Sequence, residues 1–123
     1  MLAALQTLAD LPCEGRRVAV LGGMAELGRH TGTAHAEVGR AAARLGLDAV
    51  FAVGEHAAVT AAAAGDDRAC AFAEVAGAAP AVLHFLRPGD TVLVKASRSA
   101  KLERLVDAVA RQLELRGEWK EAA

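Results

Sequence analysis

Aromatic residues are scarce in this chain: they make up 3% of its 123 residues, and tyrosine is absent. Hydrophobic residues nevertheless make up 54% of the chain, which excludes disorder and indicates a core of alanine, valine and leucine. Cysteine is scarce too, because Cys13 and Cys70 are the only two and lack Cys-x-x-Cys spacing. The sequence therefore indicates neither a disulfide framework nor a cysteine-based metal site.

The chain also lacks an excess of charge of one sign. A formal net charge of −1 argues against a nucleic-acid partner, and no lysine-rich face indicates a membrane surface. Apolar runs fall far short of the roughly 20 residues that cross a bilayer. The N-terminus lacks the basic segment and the apolar core that characterise a signal peptide. These absences, with two isolated cysteines, favour a cytoplasmic setting.

Helical and extended patterns alternate along the chain. Apolar spacing predicts helices at about 2–10, 34–45, 55–64, 74–86 and 100–115, and strands at 18–21, 49–53, 69–72 and 91–94. We expect Thr33 to cap the second helix and Pro80 to kink or break the fourth. Such alternation implies right-handed crossovers, and hence an α/β domain with a mostly parallel sheet and helices on both faces, in three layers.

Polar side chains follow the fourth predicted strand directly. They are Lys95, Ser97, Arg98 and Ser99, and a helical pattern begins at once behind them. One serine suffices to cap that helix, so the other donors indicate more than a cap. Lysine supplies a point charge, and arginine a fork that fits a carboxylate or phosphate. Because open α/β sheets bind ligands beyond the carboxyl ends of strands, we predict a ligand-facing role for Lys95 and Arg98.

The first predicted strand ends in Gly22 and Gly23, and the loop behind them carries Glu26. The spacing matches neither Gly-x-Gly-x-x-Gly nor a phosphate loop, so tight turning is a sufficient reason for these glycines. Glu26 is either a solvated carboxylate or a contact to an amine or a metal-bound ligand. His35 either caps, bonds a loop carbonyl or contacts a ligand.

Other histidines, His56 and His84, are interpreted as surface or boundary residues. No serine–histidine–acid set and no metal-ligand cluster can be read from the sequence, so we assign no catalytic residue and no metal ligand. The residues by themselves indicate a binding domain and not a complete enzyme. We predict that the turns after Leu21 and Val94 lie side by side on one rim, forming half of a cleft.

Four segments, in this order, resemble the C-terminal domain of the Mur ligases. They are VAVLGGMAELG at 18–28, HAEVG at 35–39, VFAVG at 50–54 and GDTVLVKASRS at 89–99. The loop after the first strand and the loop after the fourth are specific in combination. The resemblance implies a Rossmann-like domain over residues 1–115, followed by a charged tail at 116–123.

The resemblance is strongest to family members that join D-alanyl-D-alanine to UDP-N-acetylmuramoyl-tripeptide in peptidoglycan synthesis. It implies a fragment of an ATP-dependent amide ligase that works with Mg²⁺ through an acyl phosphate. It also implies an N-terminal and a central domain outside this sequence, over which the third domain closes to help seat ATP and the amino substrate. We therefore expect the chain alone to be a monomer that forms no amide bond and binds no cofactor tightly.

Substrate-binding roles are carried over from the family to six positions: Glu26, His35, Lys95, Ser97, Arg98 and Ser99. Two positions depart from the family pattern. Gly23 stands where the family usually has aspartate, which removes any charge-based role there. Ala96 stands where the family has glycine, a mild change unless that backbone needs positive φ.

Two further interpretations stay open. One is a free-standing Rossmann-like module that binds a nucleotide or another small anion. The other is a non-catalytic interaction domain whose polar loops contact a protein partner.

Overall fold

Short apolar runs of this chain pair into one sheet, and amphipathic segments between them form helices. The computed structural model describes residues 1–23, 28–95 and 102–115. The strands are β1 (Arg17–Leu21), β2 (Ala49–Val53), β3 (Ala69–Phe72) and β4 (Thr91–Lys95). The helices are α1 (Leu2–Asp10), α2 (Thr31–Arg44), α3 (Ala57–Ala64), α4 (Val75–Phe85) and α5 (Glu103–Leu115), with a 3₁₀ turn at Gly28–His30 before α2. The predicted α/β class is confirmed.

The sheet has the order β3-β2-β1-β4, and all three strand pairs are parallel. From β1 the chain steps outward to β2 and then β3, and it returns across the sheet to β4 on the other side of β1. Right-handed crossovers therefore place α2 and α3 on one face and α4 on the other. The direction of winding reverses between β1 and β4.

Alternate side chains of β1 serve two separate cores, as the period of a strand requires. Val18 and Val20 pack with α4 and α5, whereas Ala19 and Leu21 pack with α1 and α2. All four are at most 2% exposed. A strand buried on both faces has a continuous apolar sequence, which explains why β1 could be recognised from the sequence.

The contact between α2 and α3 depends on small residues. A Cβ atom added to Gly39 would collide with the Thr60 carbonyl oxygen and lie 2.7 Å from the Ala63 Cβ. Thr60 is buried, and its hydroxyl donates to the His35 carbonyl oxygen at 3.3 Å. The small side chains of Gly39 on α2 and Ala63 on α3 thus allow the two helices to pack more closely than larger side chains would.

Arg16 and Asp90 interact with each other at the amino ends of β1 and β4. The Arg16 Nη2 donates to Asp90 Oδ2 at 2.9 Å and to the Phe85 carbonyl oxygen at 2.6 Å, and the guanidinium stacks 3.8 Å from the Phe85 ring centroid. The backbone N–H groups of Arg16 and Arg87 also donate to Asp90, each at 2.9 Å. Its side chain is 4% exposed. Burial alone would raise the pKa of Asp90, but these hydrogen bonds and the Arg16 charge outweigh it and lower the pKa.

Three predictions about the helices differ from the structure. Helix α2 begins at Thr31 with His30 at the N-cap position, so Thr33 lies inside the first turn and the expected cap is wrong. The 3₁₀ turn leads directly into the helix and leaves no separate cap residue. Helix α4 continues through Pro80, so the predicted break is wrong, while a kink stays a prediction. The proline removes only one N–H donor, and Ala78 and Val82 pack in the core on either side of it. Helix α3 begins at Ala57, two residues later than expected. The predicted start of the last helix at residue 100 lies outside the described residues.

Among the helices that the structure describes, none is long and apolar enough to cross a bilayer.

The Gly39→Ala variant should lose stability because the added methyl group forces α2 and α3 apart. We expect the free energy of unfolding to fall by about 1–3 kcal/mol, as overpacking usually costs. The matched control is Gly32→Ala in the same helix, where a Cβ meets nothing within 4 Å. There alanine should be neutral or stabilising by up to about 1 kcal/mol. Urea unfolding of both variants makes the comparison, and equal effects would contradict the packing described here.

The Asp90→Asn variant tests the charge cluster at the amino ends of the strands. Because the folded-state pKa of Asp90 is lowered, its stabilisation is present above the unfolded value of about 4 and is lost as the pH falls through the folded value. At neutral pH we expect the variant to lose about 1–3 kcal/mol of unfolding free energy, because a buried group loses charge-assisted hydrogen bonds.

The pH dependence separates this effect from a general loss of packing. Stability of the wild type should decline more steeply in acid than that of Asp90→Asn, as measured by urea unfolding across the acid range. The exposed Asp107 on α5 provides the control, and Asp107→Asn should retain the wild-type slope. Identical slopes for wild type and Asp90→Asn would show that Asp90 is not linked to acid unfolding.

Candidate functional site

Strands β1 and β4 end together at the same rim of the sheet. Leu21 is aligned with Lys95, and the Gly22 N–H donates to the Lys95 carbonyl oxygen at 2.9 Å. The prediction that the two exits lie side by side is therefore confirmed, as far as Gly23 on one strand and Lys95 on the other. Since the winding reverses between these two strands, the crevice beyond them is where open α/β sheets bind ligands.

The end of β2 joins this rim from the other side. Gly54 has a φ of +114°, a conformation that side chains with a Cβ rarely adopt. Its N–H donates to the Phe72 carbonyl oxygen at 2.8 Å, and a Cβ added to it would lie 4.0 Å from the Gly23 nitrogen. The β1 exit is thus flanked by the backbone of β2 as well as by that of β4.

His35 lies in the first turns of α2 with its ring against the β1 exit. It is 3% exposed, and its Nδ1 lies 2.6 Å from the Thr31 carbonyl oxygen. Its Nε2 lies 3.9 Å from the position a Cβ would take on Gly23. Because a carbonyl oxygen only accepts, Nδ1 must donate, which fixes the tautomer of the neutral ring. Burial and this fixed geometry give His35 a structural function at the rim; a substrate contact stays a prediction.

A second imidazole, that of His56, packs against His35. The two ring centroids are 4.8 Å apart and the rings are inclined by 39°. The side chain of His56 is 33% exposed. The sequence indicates only a surface or boundary residue at His56, and nothing in the spacing connects it with His35, which is 21 positions away. A usable signal existed, since His56 follows closely after the predicted strand that ends at Val53, and strand ends are where ligands bind.

Lys95 stands on the β4 side of the same exit and is exposed. It shares a face of β4 with Leu93, which packs on the α1–α2 side, because residues two apart on a strand point the same way. The β1 exit therefore has an imidazole pair on its β2 side and an ammonium group on its β4 side. Groups of this kind favour an anionic ligand.

The structure describes two of the six predicted site residues. Glu26, Ser97, Arg98 and Ser99 lie outside the described residues, and their roles stay predictions. The other two, His35 and Lys95, are brought to the same rim.

A recess on the other face of the sheet is a poorer candidate. It lies between α4, β4 and α5 and is lined by apolar side chains, among them Val82, Val94 and Leu105. None of the described side chains that line it is polar, so none of them could orient a ligand through a hydrogen bond.

Comparison with known proteins agrees with this geometry. A profile of the Mur ligase, glutamate ligase domain family matches residues 1–98. The UDP-N-acetylmuramoyl-tripeptide–D-alanyl-D-alanine ligase of Escherichia coli K12 is 40% identical over 113 residues, which cover 89% of this chain and 24% of that protein. The protein of the same name from Bacillus subtilis 168 is 36% identical over 110 residues, covering 86% of this chain and 24% of that protein.

Solved structures give the same result. MurF from Acinetobacter baumannii superposes with a TM-score of 0.78 at 32% identity, covering 87% of this chain and 24% of that chain. MurF ligase from Thermotoga maritima in complex with ADP superposes with a TM-score of 0.73 at 28% identity, covering 92% of this chain and 25% of that chain.

The fold and the rim together define a Rossmann-like α/β domain with a candidate ligand site at its point of reversed winding. The chain belongs to the Mur ligase, glutamate ligase domain family, as its motifs indicated. It spans about a quarter of the length of the curated relatives it matches.

We predict that the neutral ring of His35 carries its proton on Nδ1, because the Thr31 carbonyl oxygen can only accept. Long-range ¹H–¹⁵N correlation spectra of the chain, recorded above the titration range of histidine, distinguish the two ring nitrogens directly. His84, an exposed ring on α4, provides the internal reference. A neutral His35 protonated on Nε2 would show that the contact with Thr31 does not form.

Proposed function

We propose that the chain is the C-terminal domain of an ATP-dependent ligase that joins D-alanyl-D-alanine to UDP-N-acetylmuramoyl-tripeptide in peptidoglycan precursor synthesis. The domain would span residues 1–115, with 116–123 as a charged tail. The family membership and the names of the relatives support this reaction. The structural observation that carries the proposal is the joint ending of β1 and β4 at the point of reversed winding.

The proposed reaction presents anionic groups to this rim. ATP carries phosphates, and D-alanyl-D-alanine carries a carboxylate. Lys95 would bind one of these groups or stabilise the phosphate charge, while Arg98 would supply a bidentate contact. Ser97 and Ser99 would orient the loop, and Glu26 would contact the incoming amine.

The exposure of Lys95 suits a site that a second domain completes. An acyl phosphate hydrolyses if water reaches it, so the proposed mechanism needs a closure step that brings this rim against the ATP-binding domain. This domain would then help to hold the amine of the dipeptide in position to attack the acyl phosphate. The attack forms the amide bond and releases phosphate, after ADP has been formed in the first step.

Magnesium is assigned to the other domains of the proposed ligase. Among the described residues, no group of three or more His, Cys, Asp or Glu side chains could hold a metal ion. The Mg²⁺ and most contacts to ATP would lie in the central domain, and we expect this chain alone to bind neither tightly. We also propose that the protein is a monomer, that it is cytoplasmic, and that its cysteines are reduced.

A free-standing module that binds a nucleotide or small anion is the second candidate. The exposed ammonium of Lys95 beside the β1 exit favours it. Calorimetry of the isolated chain with ATP separates the two candidates, because the ligase proposal predicts weak or no binding and the module predicts tight binding.

The ligase proposal predicts that Lys95→Ala, made in the full-length protein, raises the KM for D-alanyl-D-alanine about tenfold, as expected when a charge-assisted contact is lost. Arg98→Ala should do the same. Steady-state assays of phosphate release and amide formation provide the measurement. The exposed Arg111 on α5 supplies a matched control, and Arg111→Ala should leave both kinetic constants unchanged.

Two results would contradict this assignment. An unchanged KM with normal turnover in Lys95→Ala would remove Lys95 from the site. Ligation of the two substrates by the isolated chain of 123 residues would show that it is not the fragment we propose.

A further inference from the structure

We propose that His56 is a further ligand-contact residue of the rim and that its imidazole binds an anionic group of the ligand. The identity of that group, a carboxylate or a phosphate, rests on the proposed function. The placement of His56 does not.

The backbone delivers His56 to the rim. Gly54 turns the chain at the end of β2, and His56 follows two residues later, at the N-cap position of α3. The Gly54 turn lies against Gly23, as described above, so His56 arrives beside the β1 exit and not on a remote surface. Its side chain remains 33% exposed and is therefore open to a ligand.

The His56 ring is held in position by its contact with His35. His35 is 3% exposed and is anchored through Nδ1 to the Thr31 carbonyl oxygen at 2.6 Å. The His56 ring packs on this anchored ring, with the centroids 4.8 Å apart. The His35 imidazole is thus buried and structural, whereas the His56 imidazole is accessible and packs with one side against His35. A supported side chain loses less conformational entropy when it binds a ligand.

The charges around His56 favour an anion. The only carboxylate close to it among the described residues is that of Glu55, whose Oε2 lies 3.9 Å from the His56 Nε2. Glu55 is 89% exposed, so it is solvated and can turn away. Across the β1 exit stands the exposed ammonium of Lys95. A carboxylate or phosphate between them would receive donors from both sides.

Histidine NMR of the 123-residue chain tests the contact directly. Inorganic phosphate and D-alanyl-D-alanine are titrated separately, and the ring signals of His56 and His84 are followed at constant pH. We expect a saturable shift at His56 with one of the two probes and none at His84, and the responding probe identifies the source of the anion. If His56 stays unmoved by both probes to high millimolar concentration, or moves only in parallel with His84, the proposal is overturned.

Kinetics of the full-length protein distinguish contact from packing. His56→Ala should raise the KM for the substrate carrying the responding anion about tenfold with little change in kcat. His56→Gln, which keeps an N–H donor, should recover most of that loss. His84→Gln should match the wild type.

A merely structural His56 would instead lower kcat or stability in both His56 variants alike, and that result would contradict the proposal. If the wild-type protein forms no amide bond, the proposed ligation fails, while the NMR titration still decides whether His56 binds an anion.

Discussion

The placement of β1 between β2 and β4 is the constraint on which the rest of this structure depends. Its side chains serve both cores, with Val18 and Val20 on one face and Ala19 and Leu21 on the other. Because its neighbours are reached in opposite directions, the helices that follow the strands separate onto two faces and leave a crevice at its carboxyl end. Strand pairing therefore places the candidate site before any polar side chain is considered.

The two ends of the sheet use charge differently. At the amino ends, Asp90 is buried and receives hydrogen bonds from the Arg16 side chain and from two backbone N–H groups, so its charge is satisfied within the domain. At the carboxyl ends, Lys95 is exposed and His56 is partly exposed. Exposed polar side chains at the carboxyl end of a parallel sheet are accessible to a ligand. The contrast supports the carboxyl rim as the functional one and the opposite rim as structural.

Most of the fold was predictable from the sequence because its signals are local. The strands at 49–53 and 69–72 were placed correctly, since apolar runs bounded by glycine and polar residues are legible without tertiary information. The predicted cap at Thr33 was wrong because α2 begins directly after a 3₁₀ turn, and a 3₁₀ turn has no recognisable pattern of apolar residues in the sequence. The partnership of His35 with His56, and that of Arg16 with Asp90, depends on packing between segments far apart in the chain. Strand-end reasoning and family motifs pointed to Lys95 and His35, which the structure brings to one rim, but neither pointed to His56.

We propose that the carboxyl rim closes against another domain of a longer protein, with the ligands bound between them. Hydrogen–deuterium exchange of the full-length protein, with and without ATP and D-alanyl-D-alanine, tests it most directly, because exchange reports both rims in one experiment. The account predicts that ligands slow exchange at residues 22–23, 54–56 and 95 while amides around Arg16 and Asp90 keep their rates. Protection confined to the amino ends of the strands, or protection at neither rim, would contradict it.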